Sequence, residues 1–277
     1  MLPDAISATQ DLFSRVQLNR LRRSQAASTQ QAASPQSARF RVHGWRWHHL
    51  SIIRDLIRLE NNATRKRNRL CSAQNAPNSD SLRRQMKHAV QYIVRDNWAL
   101  HNDVEHSLFL PWISDREPRE MRRDYVDVVH RERQRLEQHA HALETRVTNW
   151  STFNYEHAHQ CESELHNIIT AIQRLRRNAS TLFKASEQFF VPRVKQLFSE
   201  SEQLQFNSQV LKHISGKQAR MSLVMFRDGV DMSEPVVALR NDLNNFERDV
   251  PAPIRRVGVP FWRSRFVGEK TRFLTEP

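Results

Sequence analysis

The chain has 277 residues and a formal net charge of +13, from 43 basic and 30 acidic side chains, and its length admits one large or two small domains. Its five glycines are Gly44, Gly216, Gly229, Gly258 and Gly268, with none between Trp45 and Ser215. Sheets and hairpins need glycine at their turns, so this stretch excludes a β-rich fold and favours long helices. The two cysteines, Cys71 and Cys161, form no close pair, no hydrophobic leader is evident, and no apolar run approaches the ~18–20 residues of a membrane span. A soluble intracellular protein without a membrane partner is the expectation.

Arginine carries nearly all the positive charge and is spread along the whole chain. A nucleic-acid binder concentrates such charge on one face or in one segment, so the pattern argues for a solvated arginine-biased surface instead.

Residues 1–44 are rich in Ser, Ala, Gln and Arg and are expected to be a disordered basic segment. The amphipathic piece from Leu12 to Arg23 interrupts it. An arginine- and serine-rich start is compatible with a mitochondrial presequence, but Asp4 and Asp11 are foreign to one, so the expected compartment is the cytoplasm with the mitochondrion as alternative.

From Trp45 the apolar residues recur at helical period. Leu50, Ile53, Leu56, Ile57 and Leu59 predict a first helix over residues 45–70. A loop around Pro77 follows, with Asp80 or Ser81 able to cap a second helix that runs through Met86, Val90, Ile93, Val94, Trp98 and His101 and stops at Pro111. A third helix begins near Pro118 and continues through Val129, Leu136, His139 and Leu143 to about Val147, with Ser151 and Thr152 in the next connection. A fourth, through Leu165, Ile168, Ile172, Leu175, Leu182 and Phe189, is expected to end near Pro192.

A shorter helix, Ser199 to Ile214, has acidic residues in its first turn and Gly216 just past its end, where a left-handed cap is expected. Residues 216–277 hold most remaining glycines and five prolines, and predict an extended tail with one short helix around Pro235 to Phe246, pinned to the rest by Trp262, Phe266 and Phe273. Four long helices with short connections predict an all-α protein, an antiparallel up-down-up-down four-helix bundle over residues 45–215.

His101 and Glu105 stand four residues apart, one turn along a helix, on or near the stripe that carries Ile93, Val94 and Trp98. An imidazole and a carboxylate directed into a bundle core must be hydrogen-bonded, paired or metal-bound, because an unsatisfied buried polar group costs ~1–3 kcal/mol. Glu162 with His166, and His157 with Cys161, share helix faces but precede no apolar exit and are read as surface. No phosphate-binding glycine loop, Cys-x2-Cys pair or Ser/His/Asp arrangement is present, and no enzymatic activity is expected.

The run His101-Asn-Asp-Val-Glu-His-Ser-Leu-Phe-Leu-Pro111, the Gln138-His139 pair on the third helix and the Glu187-Gln-Phe-Phe-Val-Pro192 exit of the fourth resemble the hemerythrin-like, HHE cation-binding family over about residues 45–215. The resemblance implies a four-helix bundle holding non-haem iron, as one or two ions, with manganese or zinc as alternatives, and dioxygen or another small diatomic ligand. It maps ligands onto His49, with Ile52 three residues on and His48 as the fallback, onto His101 and Glu105, and onto His139. The fourth helix departs from the family's His-x3-Glu. Its matching positions are Leu182 and Ser186, or after a one-residue shift Phe183 and Glu187, which leaves Glu187 as the only ligand there.

Three histidines with one or two carboxylates suit a single Fe(II), Mn(II) or Zn(II) better than a bridged pair. The functional expectation is oxygen or redox sensing, metal handling or stress response. The alternative is a bundle that has lost its metal and serves as a scaffold or interaction module.

Overall fold

The computed structural model describes residues 38–72, 79–116, 119–152, 158–231, 237–267 and 270–275, and these are almost wholly helical, with no strand among them. The expected disordered segment therefore lies outside the described residues, apart from its last seven. The elements are α1 (His43–Ser72), α2 (Ser79–Gln91), α3 (Ala99–Val104), α4 (Leu110–Ser114), α5 (Arg119–Thr152), α6 (Ala158–Leu197), α7 (Glu200–His213), α8 (Gly216–Asp231), α9 (Val237–Asp249), α10 (Val259–Val267) and α11 (Arg272–Thr275). Two π-helical turns, Tyr92–Trp98 and Glu105–Phe109, join α2, α3 and α4 into one unbroken run, and a third, Ile254–Gly258, leads into α10.

The prolines end fewer helices than the sequence leads one to expect. Pro111 lies inside the second run, which continues to Ser114; the π-turn Glu105–Phe109 opens the hydrogen-bond ladder just where proline has no N–H to offer. Pro192 lies inside α6, which continues to Leu197. Likewise α5 extends past Val147 and takes Ser151 and Thr152 into its last turn, where both hydroxyls bond back to the Thr148 carbonyl. Before α7, Ser199 makes the expected N-terminal cap as a full capping box with Glu202. No left-handed glycine follows: Ile214 caps α7 in extended conformation, and Gly216 opens α8.

The largest correction concerns the chain from Gly216 on, where the described segments 216–231, 237–249, 254–267 and 272–275 are helical rather than extended. The Gly and Pro content misleads because Pro251 and Pro253 stand at the start of the run that enters the Ile254 turn, and Pro260 follows the π-turn Ile254–Gly258 as Pro111 follows Glu105–Phe109, where the hydrogen-bond ladder is already open. The expected short helix is α9, from Val237 to Asp249. Met221, Val224, Met225 and Val230 give α8 a buried face that packs on α1. The approach is close: a Cβ at Gly229 would stand 3.1 Å from the Ser51 backbone. Phe273 and Leu274 of α11 are buried against α1 and α2, while Phe266 is half-buried.

The four long helical runs meet in a cycle: α1 against α6, α6 against α5, α5 against α2, and the 92–98 turn against α1. One apolar layer is built from Ile52, Leu56, Leu59, Met86, Ile93, Leu143, Trp150, Ile168, Ile172 and Phe183. A second, aromatic layer contains Trp45, Phe109, Phe190, Phe198 and Phe206. In this second layer Trp45 stacks on Phe109 at 4.6 Å between centroids, and Phe109 meets Phe190 edge-on at 5.4 Å.

Phe109→Ala is expected to lower unfolding free energy by about 3–5 kcal/mol in urea denaturation, as for other buried aromatics truncated in a core that cannot collapse. Ser199→Ala should cost about 1 kcal/mol, the loss of one N-cap. Similar costs for the two would contradict the packing described.

Candidate metal centre

Between the two layers lies a buried polar cluster. His49, on the second turn of α1, and His101 and Glu105, one turn apart on α3 and the following π-turn, are 2%, 1% and 0% exposed. One ligand atom from each lies within 4.8 Å of the others, the only such group of three His, Cys, Asp or Glu side chains among the described residues. The π-turns flanking α3 widen the helix before His101 and from Glu105 onward, and such turns recur at functional sites.

The His49 ring is fixed from two sides. It stacks flat on Phe183, 4.2 Å away and 6° from parallel, and its Nδ1 is 2.8 Å from Glu187 Oε1. A carboxylate can only accept, so Nδ1 carries the proton and Nε2 keeps its lone pair; that Nε2 is buried without a hydrogen-bond partner. A ligating histidine held this way, with its other nitrogen donating to a carboxylate, is the usual second-shell arrangement at metal sites. His101 Nε2 is also buried without a hydrogen bond and stands 3.1 Å from Glu105 Oε2. Burial is the main cause that lowers the pKa of both imidazoles, so both are neutral at pH 7 with a free lone pair.

Glu105 is held by other partners. Its Oε1 accepts from Trp45 Nε1 at 2.9 Å and from Arg133 Nη2, and its Oε2 pairs with Arg133 Nη1. Arg133 comes from α5 and is 4% exposed; burial lowers its pKa to about 9, which leaves it cationic at pH 7. A second arginine serves Glu187: Arg46 Nε lies 3.1 Å from Glu187 Oε2, and its Nη1 lies 3.0 Å from Asp242 Oδ1 on α9. Burial pushes the Asp242 carboxyl up to about 6.

The structure thus brings His49, His101 and Glu105 together and sets Glu187 behind His49. It does not bring in His139, which is half-buried on the flank of α5, among Arg174, Arg135 and Glu132. The reason is the stripe: Val129, Arg133, Leu136, Ala140, Leu143 and Val147 are all buried at three- and four-residue steps, and His139 lies beside that line. Arg133 occupies the inward position. Its place on the stripe is a sequence signal that points to the residue facing the centre. His48 turns toward Phe226 of α8, 4.6 Å away, with the His101 ring at 5.6 Å.

Two metal ions do not fit this donor set, because beyond His49, His101 and Glu105 the helix α6 adds the Phe183 ring and the hydroxyl of buried Ser186, and neither is an imidazole or a carboxylate. One ion does fit: two neutral imidazole nitrogens and one carboxylate oxygen form a 2-His-1-carboxylate set. Arg133 competes for the carboxylate, and Glu137, one turn along α5, offers its guanidinium a second acidic neighbour. Comparison with protein-family descriptions, with curated proteins and with solved structures finds no match to this chain.

Four buried imidazoles are held neutral by burial: His43, lowered to about 4, with His48, His49 and His101. The unfolded chain takes up these protons near the ordinary value of about 6.5, whereas the folded one resists, so stability is complete above that pH and is lost as pH falls toward about 4. The thermal midpoint should fall between about pH 7.5 and pH 5, and His43→Gln should flatten the decline. A midpoint that stays level over this range would contradict neutral buried rings.

Proposed function

We propose that the chain is a hemerythrin-like, up-down-up-down four-helix bundle that binds one divalent transition metal, iron foremost with manganese or zinc as alternatives, for redox or small-diatomic sensing or for metal handling. The observation that carries this reading is the convergence of two buried, partnerless imidazole nitrogens on one buried carboxylate, with Glu187 holding His49 in the ligating tautomer. The cyclic packing of α1, 79–114, α5 and α6 supports the bundle. A bound ion would supply Lewis acidity and an exchangeable coordination position. The chain's own part is to present His49, His101 and Glu105, to orient His49 through Glu187, and to exclude bulk water with Trp45, Phe109 and Phe183.

A second reading follows from the Arg133–Glu105 fork. If the guanidinium stays in place, the carboxylate is already neutralised and the bundle is a metal-free scaffold.

Calorimetric titration with Mn(II) separates the two. The metal reading predicts one ion per chain, at least about tenfold weaker binding by His101→Ala and about 10–100-fold weaker binding by Glu187→Gln, the effect of losing a second-shell partner. It also predicts tighter binding by Arg133→Met, which removes the competing cation. No binding by either the wild type or Arg133→Met would establish the scaffold and end the metal reading.

A further inference from the structure

We propose that the segment 251–267 docks the protein peripherally onto anionic lipid surfaces through its exposed apolar side chains and the arginines beside them. Six large hydrophobic side chains stand exposed among the described residues, and three of them, Ile254, Val257 and Phe261, fall within eight residues of this segment. The helix is not loose. Val259 is 2% exposed, Trp262 and Phe266 are half-buried, α10 packs along α8, and Arg263 Nε pairs with Asp228 Oδ1 at 3.2 Å. One side of the helix is therefore anchored to the bundle, while Val257 and Phe261, 69% and 56% exposed, project from it.

Charge identifies the occupant. Residues 251–267 contain Arg255, Arg256, Arg263 and Arg265 and no acidic residue. Arg256, Arg263 and Arg265 are exposed, and the Arg265 guanidinium lies over the Phe261 ring at 5.6 Å, beside the apolar tip rather than away from it. Apolar and aromatic side chains interleaved with arginine on a short exposed helix match a headgroup layer, where the rings reach the acyl boundary and the guanidinium groups meet phosphate and carboxylate. No helix among the described residues is long and apolar enough to cross a membrane, so the contact is peripheral. Three apolar side chains give marginal attachment by themselves, so binding requires the arginines and is sensitive to salt.

Cosedimentation of the full chain with phosphatidylcholine vesicles containing about 30% phosphatidylserine, against pure phosphatidylcholine vesicles, tests this. The expected result is binding to the anionic vesicles only, released at about 1 M salt and weakened about tenfold in Val257→Ser/Phe261→Ser and again in Arg255→Gln/Arg256→Gln/Arg265→Gln, with thermal midpoints unchanged. Equal binding to neutral vesicles, or undiminished binding by both variants, which would place the contact on another basic segment, overturns the proposal. A wild-type dimer that Val257→Ser/Phe261→Ser dissociates also overturns it, because the face would then belong to a second copy of this chain.

Discussion

A carboxylate fully buried between four helices must be neutralised, and how Glu105 is neutralised determines the centre of this protein. Two groups from two other helical runs converge on it: the Trp45 indole N–H of α1 and the Arg133 guanidinium of α5. Charging Glu105 without these partners would cost several kcal/mol in so dry a place. The same requirement makes the site a candidate for a divalent ion, since a metal and a guanidinium are alternative ways to answer one buried negative charge.

The surroundings follow from this. The aromatic layer of Trp45, Phe109 and Phe190 closes one side of the cluster, and Phe183 closes another by stacking on His49. Glu187 repeats the logic at the cluster's edge, where it is answered by Arg46, which in turn answers Asp242 on α9. The C-terminal helices are thereby tied to the polar centre as well as to the apolar face of α1. Two acidic groups, each paired with an arginine, stand where the family resembled in sequence would place metal ligands.

The helical class, the long runs and the inward placement of His101 and Glu105 were all readable from period and spacing. What misled was punctuation and register. Pro111 and Pro192 are strong local stop signals, yet a π-turn before one and continuous packing around the other carry the helices through, and such tertiary compensation leaves no local trace. His139 drew attention as a histidine, whereas the stripe position belongs to Arg133, and only burial along α5 separates the two. The described residues from Gly216 on look extended by composition because glycine and proline counts carry no information about where in a helix each residue falls.

A double-mutant cycle on Glu105 and Arg133, measured by urea denaturation of Glu105→Gln, Arg133→Met and the pair, tests most directly whether this ion pair organises the core. Either single change should cost about 3–5 kcal/mol by stranding a buried charge or its polar partners, and the double variant should recover most of that loss. Strictly additive costs, with no coupling between the two positions, would contradict the account.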